Sequence, residues 1–212
     1  MNVVKLKNIN QLKDYQLQDY KLAIVSRNPI AGADIFFEII KKTQFQLSGK
    51  ISKHSCYENI KNLLSKTFPK HLQKTQIYQS WLYDMSIVSG LFCDIHKGED
   101  IGFFLTTRRG CARYHVDNVP LRLLVTYSGQ GTEWIPDTAA NRKAFISGAP
   151  NNEIVKDKSK RQFIENWDIS IFRGGANGLL HRTPDTALKE PTILMRLDCK
   201  SFFDEISKKL EA

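Results

Sequence analysis

Residues 111–134 read CARYHVDNVPLRLLVTYSGQGTEW and contain the most informative part of the chain, the tripeptide His115-Val116-Asp117. On a β-strand, side chains at positions i and i+2 leave the same face. The His115 imidazole and the Asp117 carboxylate are therefore predicted to point the same way, with the apolar Val116 on the opposite face. Two groups of this kind, side by side, suit a metal site, and the alternative for the tripeptide alone is a surface histidine followed by an aspartate in a turn.

A third metal ligand is predicted at His181, which ends the apolar segment Gly178-Leu179-Leu180-His181. Two histidines and one carboxylate on one face leave the other positions of an octahedron open, as in non-haem Fe(II) oxygenases. Zn(II) is the alternative metal for the same ligands. We therefore predict a metal site formed by His115, Asp117 and His181.

Short segments rich in β-branched and aromatic residues surround these ligands, separated by turns rich in Gly, Pro, Asn and Asp. Strands are predicted at residues 101–107, 113–116, 121–127, 132–135, 167–172, 178–181 and 192–197. Short strands at this spacing favour a β-sandwich or a small barrel. The order of the three ligands among these strands is that of a double-stranded β-helix, the jelly-roll or cupin-like fold.

The chain before Gly98 has a different character, because its apolar residues recur at helical spacing. Helices are predicted at residues 35–40, 57–64 and about 72–92, with one strand at 22–25 and a closing amphipathic helix around Phe202. We therefore predict an α+β fold in two parts. Residues 1–98 form a mainly helical region packed on the core, and residues 99–212 form a double-stranded β-helix with the metal site and the closing helix.

The segment quoted above, with the later GLLHRTP and a strand ending in RLD, resembles a bacterial family catalogued as domain of unknown function 1826. The shared pattern is a Cys, a basic residue and an aromatic residue before His-x-Asp, followed by LRLL and GTEW. The resemblance extends over about residues 100–200. In the order of its elements the chain is also similar to the Fe(II)/2-oxoglutarate oxygenases, which implies Fe(II) as the metal and 2-oxoglutarate as a cosubstrate.

The likeness to these oxygenases also implies a basic residue that holds the carboxylate of 2-oxoglutarate. In those enzymes an Arg or Lys lies about ten to fifteen residues after the distal His. Here Thr192 stands eleven residues after His181, and Arg196 stands fifteen after it. Arg196 is therefore one candidate, because a guanidinium binds a carboxylate with two hydrogen bonds, unless it pairs with a nearby acid. Arg122, on a neighbouring predicted strand, is the second candidate.

Three further residues are candidates for supporting contacts around the metal. Cys111 and Arg113 lie at even offsets from His115, so both would share the ligand face of an unbroken strand. A Cys111 thiolate would favour Zn(II) over Fe(II), and the alternative is a small buried thiol. Arg113 is predicted to pair with Asp117 or with an anionic substrate. Glu133 is a candidate acceptor for the second N–H of a metal-bound histidine.

The net charge of +9 on 212 residues favours, by itself, a protein that binds nucleic acid. Residues 1–80 contain 13 Lys and Arg against 5 Asp and Glu, whereas residues 81–212 contain 18 and 17. The excess charge therefore belongs to the solvated faces of the predicted helices. Nucleic-acid binding is consequently less favoured than either of the metal-dependent functions.

We expect a cytoplasmic protein that does not bind membranes. No apolar run approaches the ~18–20 residues that span a bilayer, the N-terminus lacks a signal-peptide pattern, and four widely spaced cysteines fit reduced thiols. The favoured function is an Fe(II)-dependent oxygenase acting on a small-molecule or protein substrate. The alternative is a non-redox zinc-binding protein linked to metal homeostasis, implied by the family resemblance because genes of the family often neighbour those of metal-homeostasis GTPases.

Overall fold

The structure, a computed structural model, describes residues 3–211, except for the side chains of residues 206, 207 and 209–211. The strands are β1 (Val3–Leu6), β2 (Leu22–Val25), β3 (Gln46–Ser52), β4 (Asp100–Thr106), β5 (Leu121–Ser128), β6 (Glu133–Ile135), β7 (Gln162–Phe163), β8 (Ile169–Arg173), β9 (Leu180–Arg182) and β10 (Ile193–Cys199). The α-helices are α1 (Ala33–Ile40), α2 (Cys56–Ser65), α3 (Lys70–Gln73), α4 (Gln76–His96), α5 (Arg142–Ile146), α6 (Asn151–Ile154), α7 (Asp185–Lys189) and α8 (Lys200–Glu211). Short 3-10 helices cover Ile9–Leu17, Lys53–Ser55, Asp137–Ala139 and Lys158–Lys160.

A large sheet of seven strands forms the centre of the molecule, in the order β1-β2-β8-β5-β10-β4-β3. The β1–β2 pair is parallel, and every other neighbouring pair is antiparallel. The protein therefore has a mixed α+β architecture built on a large, mostly antiparallel sheet, which confirms the predicted α+β class. The central strand β5 is buried over its whole length, so both of its faces are covered.

A small antiparallel sheet, in the order β7-β6-β9, lies beside the large one. The strand β9 continues this sheet through an isolated antiparallel bridge between His181 and His115. The predicted strand at residues 113–116 is wrong, because only His115 makes strand-like pairing. The reason is local: the backbone N–H of Tyr114 donates to Oδ1 of Asn151 at 2.9 Å instead of to a neighbouring strand.

Helices α1, α2 and α4 cover one face of the large sheet with a core rich in aromatic residues, whereas α8 packs against Phe104 on the other face. Trp81 of α4 is fully buried, and its ring lies edge-on to Phe37 of α1 at 5.2 Å and to Tyr127 of β5 at 5.8 Å between centroids. Such edge-to-face pairs stabilise a core beyond the area that they bury. Among residues 3–211, no helix combines the length and the apolar character needed to cross a bilayer.

The single helix predicted from about Leu72 to about Phe92 is two helices, α3 and α4. The break follows from capping, because the Thr75 hydroxyl accepts a hydrogen bond from the backbone N–H of Tyr78 and begins α4 there. The predicted helices at 35–40 and 57–64 correspond to α1 and α2. The closing helix is α8, which begins at Lys200.

Two strands of the first third, β1 and β3, are absent from the sequence-based prediction and form the edges of the large sheet. The strand β3 alternates exposed and half-buried residues, and its outward positions are Gln46, Ser48 and Lys50. A polar strand of this kind lacks the run of β-branched and aromatic residues by which a strand is recognised. The division of the chain at residue 98 stays a prediction.

Candidate metal centre

The bridge between His115 and His181 places two imidazole rings side by side. The backbone N–H of His115 donates to the carbonyl of His181 at 3.0 Å, and the reverse bond measures 3.1 Å. Residues paired in this way project their side chains from the same face of the sheet. The ring centroids are accordingly 4.4 Å apart. The backbone pairing, and not a continuous strand, therefore sets the position of both rings.

Each ring is also fixed by a hydrogen bond to its own main chain. Nδ1 of His115 lies 3.0 Å from the carbonyl oxygen of Arg113, and Nδ1 of His181 lies 3.0 Å from that of Leu179. Since a carbonyl oxygen only accepts, both Nδ1 atoms carry the proton. In the neutral form of each ring, Nε2 then has a free lone pair for a metal, an arrangement common among metal-binding histidines.

The carboxylate of Asp117 lies opposite the two Nε2 atoms. Its oxygens are 3.8 Å from Nε2 of His115 and 3.5 Å from Nε2 of His181. One ligand atom from each of the three residues lies within 4.8 Å of the others, and among the described residues no other group of three His, Cys, Asp or Glu does so. The three residues predicted as ligands are thus brought together.

The surroundings of His181 favour its neutral form. Burial lowers the pKa of His181 to about 4, although the nearby Asp117 carboxylate acts in the opposite direction. The imidazole is therefore neutral at pH 7, with a lone pair on Nε2. Neutral imidazole is the form that binds metal ions.

The carboxylate of Asp117 is 3% exposed, and only one of its oxygens has a hydrogen-bond partner among the described residues. Oδ1 accepts a hydrogen bond from the guanidinium of Arg122, whereas Oδ2 accepts none. A buried carboxylate oxygen without a donor is unfavourable, and a bound cation would satisfy it. The donor set of two Nε2 atoms and this oxygen therefore fits a divalent metal ion.

Two glycines, which the sequence analysis did not assign to the site, hold the loop that carries Asp117. The backbone N–H of Gly175 donates to the carbonyl of Asp117 at 2.8 Å. A Cβ atom on Gly174 would lie 2.0 Å from the carbonyl oxygen of Val119 and 2.4 Å from that of Asp117. A larger residue at 174 would therefore displace the ligand loop. The adjacent glycines Gly174-Gly175 are the sequence signal for this close approach.

Behind the ligands, Arg122 and Arg196 share the buried carboxylate of Asp198. Nε of Arg122 lies 2.6 Å from Oδ1 of Asp198, and Nε of Arg196 lies 2.9 Å from Oδ2. Asp198 stands directly across from Arg122 on the paired strands β10 and β5. Arg122 therefore connects the candidate ligand Asp117 with Asp198, and its charge is shared between these two carboxylates.

A cavity of about 370 Å³ opens in front of the two histidines. Arg122 and Arg196, the two arginines predicted to hold a cosubstrate, both line it. The guanidinium of Arg196 lies over the ring of Phe104, 3.9 Å from its centroid, and 28% of the side chain is exposed, against 10% for Arg122. Arg196 is thus the more accessible of the two.

Two of the three predicted supporting residues lie near the site without making the expected contacts. Cys111 is exposed and lines the cavity but lies outside the group of three ligands, so the buried-thiol alternative is wrong as well. Arg113 is exposed and donates to the carbonyls of Phe145 and Ala149 instead of facing Asp117, because residues 113 and 114 are not in a strand.

Glu133, the third of these residues, also differs from expectation, because it contacts neither histidine. This buried carboxylate accepts hydrogen bonds from the Tyr114 hydroxyl and, at 2.8 Å, from Nη2 of Arg182. The sheet register explains the second contact, since Glu133 stands directly opposite Arg182 on the paired strands β6 and β9. The Nδ1–H groups of the two histidines donate to main-chain carbonyls instead.

The family whose sequences are described as "Protein of unknown function (DUF1826)" matches residues 7–198. The chain belongs to this family. The family resemblance inferred from residues 111–134 is thereby confirmed, and the match extends into the helical first third. No curated protein matches the chain.

Solved structures similar to this one include several oxygenases. The Fe(II)/α-ketoglutarate-dependent dioxygenase TqaL has a TM-score of 0.45 at 10% identity, over 90% of this chain and 85% of its own. A bsmA homologue from Methylobium petroleophilum has a TM-score of 0.42 at 10% identity, over 93% and 95% of the chains. A Pseudomonas putida prolyl-4-hydroxylase has a TM-score of 0.39 at 10% identity, over 91% and 98%. A likeness at this level gives the chain neither a ligand nor a reaction.

Proposed function

We propose that this member of the DUF1826 family is a non-haem Fe(II)-dependent oxygenase that uses 2-oxoglutarate. The main support for the proposal is that the Nε2 atoms of His115 and His181 and an unsatisfied carboxylate oxygen of Asp117 converge beside an open cavity. Two histidines and one carboxylate with open positions are the ligand set of Fe(II) oxygenases.

We further propose that the core is a double-stranded β-helix. This is supported by the way in which the chain alternates between the two sheets after residue 98. The large sheet takes β4, β5, β8 and β10, in the order β8-β5-β10-β4, and the small sheet takes the His115 bridge, β6, β7 and β9, in the order β7-β6-β9-His115. In such a core, ligands from the small sheet face the space between the sheets.

Each metal-site residue has a separate task in this function. His115 and His181 bind through Nε2, while their Nδ1 hydrogen bonds keep both rings in the required orientation. Arg122 holds the Asp117 carboxylate through Oδ1 and leaves Oδ2 for the metal. When bound, Fe(II) and 2-oxoglutarate supply the electrons with which dioxygen is activated.

The charges behind the site support an anionic cosubstrate. Asp117 and Asp198 are balanced by Arg122 and Arg196, so that these four side chains together are neutral. A divalent cation adds two positive charges in a largely buried place, and a dianion such as 2-oxoglutarate compensates them. Arg196, accessible from the cavity, is the residue proposed to bind the distal carboxylate of the cosubstrate.

The test combines metal analysis with a turnover assay, on protein purified without a His-tag. We expect one metal ion per chain in the wild type, and Fe(II)-dependent release of succinate from 2-oxoglutarate. The His115→Ala/Asp117→Ala double variant should lose both, while His54→Ala, which changes a histidine that is 78% exposed, should lose neither.

Two results would contradict the proposal in different ways. Metal binding of wild-type affinity in the double variant would show that the ligands are wrong. Stoichiometric zinc of high affinity, with no succinate release after reconstitution with Fe(II), would instead favour the non-redox zinc-binding protein.

A further inference from the structure

The wall of the cavity is strongly cationic. Among the described residues no Asp or Glu lines it, whereas five arginines do: Arg108, Arg109, Arg122, Arg182 and Arg196. A concave, partly desolvated surface of one sign concentrates ligands of the opposite sign. The composition of the wall therefore favours an anionic ligand over a neutral or cationic one.

Three of these arginines are already compensated by acids behind the wall. Arg122 and Arg196 share Asp198, as described above, and Arg182 pairs with Glu133 at 2.8 Å and with Asp185 at 2.7 Å. Each of these three charges is balanced within the protein, although the side chain of Arg196 stays accessible from the cavity. A half-buried arginine without an acidic partner has, in addition, an unbalanced charge to offer a ligand.

Arg109 is that arginine, whereas Arg108 is exposed to solvent. The guanidinium of Arg109 donates to two neutral acceptors, the carbonyl of Gln130 at 3.0 Å and Oγ1 of Thr132 at 2.7 Å. No carboxylate of the described residues lies within 4.0 Å of its nitrogens, the limit for an ion pair. The two hydrogen bonds fix the side chain on the turn between β5 and β6 while leaving its charge uncompensated.

The positive charge of Arg109 is destabilised by partial burial. The side chain is half-buried, and burial lowers the pKa of its guanidinium to about 10, so that it remains protonated at pH 7. Buried charges in proteins are as a rule paired. A guanidinium held in place, desolvated and unpaired is well suited to form two hydrogen bonds to an oxyanion.

We propose that Arg109 binds an anionic group of the substrate, so that the substrate is an acid carrying a carboxylate or a phosphate. Naming this ligand a substrate depends on the oxygenase function proposed above, whereas the anion site itself does not. Arg109 is held by the β5–β6 turn, whereas Arg122 and Arg196 stand on β5 and β10, so the proposal places this anion beside the cosubstrate within the same cavity.

The experiment titrates inorganic phosphate, and in a second arm acetate, into the metal-free protein by calorimetry. Loss of a charge-assisted pair of hydrogen bonds should weaken binding of the preferred anion about tenfold in Arg109→Gln. Arg113→Gln is the matched control, because Arg113 also donates only to neutral carbonyl oxygens but lies outside the cavity. Arg113→Gln should leave the affinity for the anion unchanged. Arg109→Lys should have an affinity between those of the wild type and Arg109→Gln.

A third arm repeats the phosphate titration with Zn(II) and 2-oxoglutarate bound. We expect the same dependence on Arg109 there, since the two anions occupy different sites. Equal affinities in the wild type and in Arg109→Gln, with the variant melting cooperatively as the wild type does, would overturn the proposal. So would complete loss of phosphate binding once 2-oxoglutarate is bound, because Arg109 would then belong to the cosubstrate.

If the oxygenase function is wrong, the results differ from those expected if the anion site is wrong. In that case the Arg109-dependent binding of phosphate or acetate persists in the metal-free protein, while succinate release is absent. The preference between phosphate and acetate identifies the type of acid.

Discussion

The two faces of strands β5 and β10 carry opposite chemistry. Residues at odd positions, such as Leu123, Tyr127 and Met195, enter the apolar core beneath the helices. Residues at even positions, such as Arg122 and Arg196, face the cavity. The strict alternation of a strand thus lets one piece of chain build a dry core and a charged site at once. Apolar packing alone fills the face beneath the helices, whereas the cavity face combines an apolar cluster around Leu124 and Leu194 with the buried charge pairs of Asp198.

The largest effect is expected on the helical face. Trp81→Ala removes a fully buried indole that contacts Phe37 and Tyr127, and should lower the free energy of unfolding by about 4 kcal/mol. Chemical denaturation measures this. The control is Tyr83→Ala on the same helix, where the side chain is 61% exposed, and we expect a change within about 0.5 kcal/mol. Equal losses in both variants would mean that the core is not centred on Trp81.

On the cavity face, the largest effect should come from Asp198. Asp198→Asn removes the negative charge that Arg122 and Arg196 share. Because loss of one partner leaves a buried charge unpaired, the free energy of unfolding should fall by about 3 kcal/mol. The control is Asp185→Asn, which removes a 71% exposed partner of Arg182 and should change stability little. Similar losses in the two variants, measured by denaturation, would show that burial of the charge pair does not decide its contribution.

Metal binding on the cavity face should stabilise the whole folded chain. Zn(II) at about a hundredfold above its Kd should raise the free energy of unfolding by about 2.7 kcal/mol, because it binds only the folded ligands. A melting curve with and without EDTA measures the shift. His181→Ala should abolish the shift, and His71→Ala, outside the site, should retain it. A shift that survives in His181→Ala would place the ion elsewhere.

The smallest effect is expected on the affinity for 2-oxoglutarate. Arg196→Gln should weaken 2-oxoglutarate binding about tenfold while leaving metal affinity unchanged, since the side chain lies in the cavity but is not a ligand. Titration of the Zn(II)-loaded protein with 2-oxoglutarate measures the first quantity, and titration of the metal-free protein with Zn(II) measures the second. Unchanged 2-oxoglutarate affinity in this variant would remove Arg196 from the proposed cosubstrate site.

The sequence pointed to three residues that the structure brings together, but not to the geometry that joins them. The prediction that His115 and Asp117 point together assumed an unbroken strand, whereas Asp117 lies in a loop beyond a single bridge. Its position depends on contacts with Gly174 and Gly175, almost sixty residues later in the chain. Hydrogen bonds between distant loops leave no periodic pattern in a sequence.

The sequence also did not predict which charged residues pair across neighbouring strands. Glu133 and Arg182 meet because β6 and β9 are in register, and Arg122 meets Asp198 for the same reason on β5 and β10. Spacing along the chain predicts which face a residue occupies, but not which residue stands opposite. Most strands with an apolar pattern were predicted, with the exception of the short edge strand β1, and the polar edge strand β3 was missed because its stability comes from its neighbour β4.

The bridge between His115 and His181 has a dynamic consequence. Their two amide protons are engaged in the hydrogen bonds that align the rings, so that opening the bridge necessarily separates the rings. Release of a metal by ring separation and exchange of these amides with deuterated solvent are then alternative readouts of one local opening event. The exchange rate of two backbone amides would thus report how tightly the centre is closed.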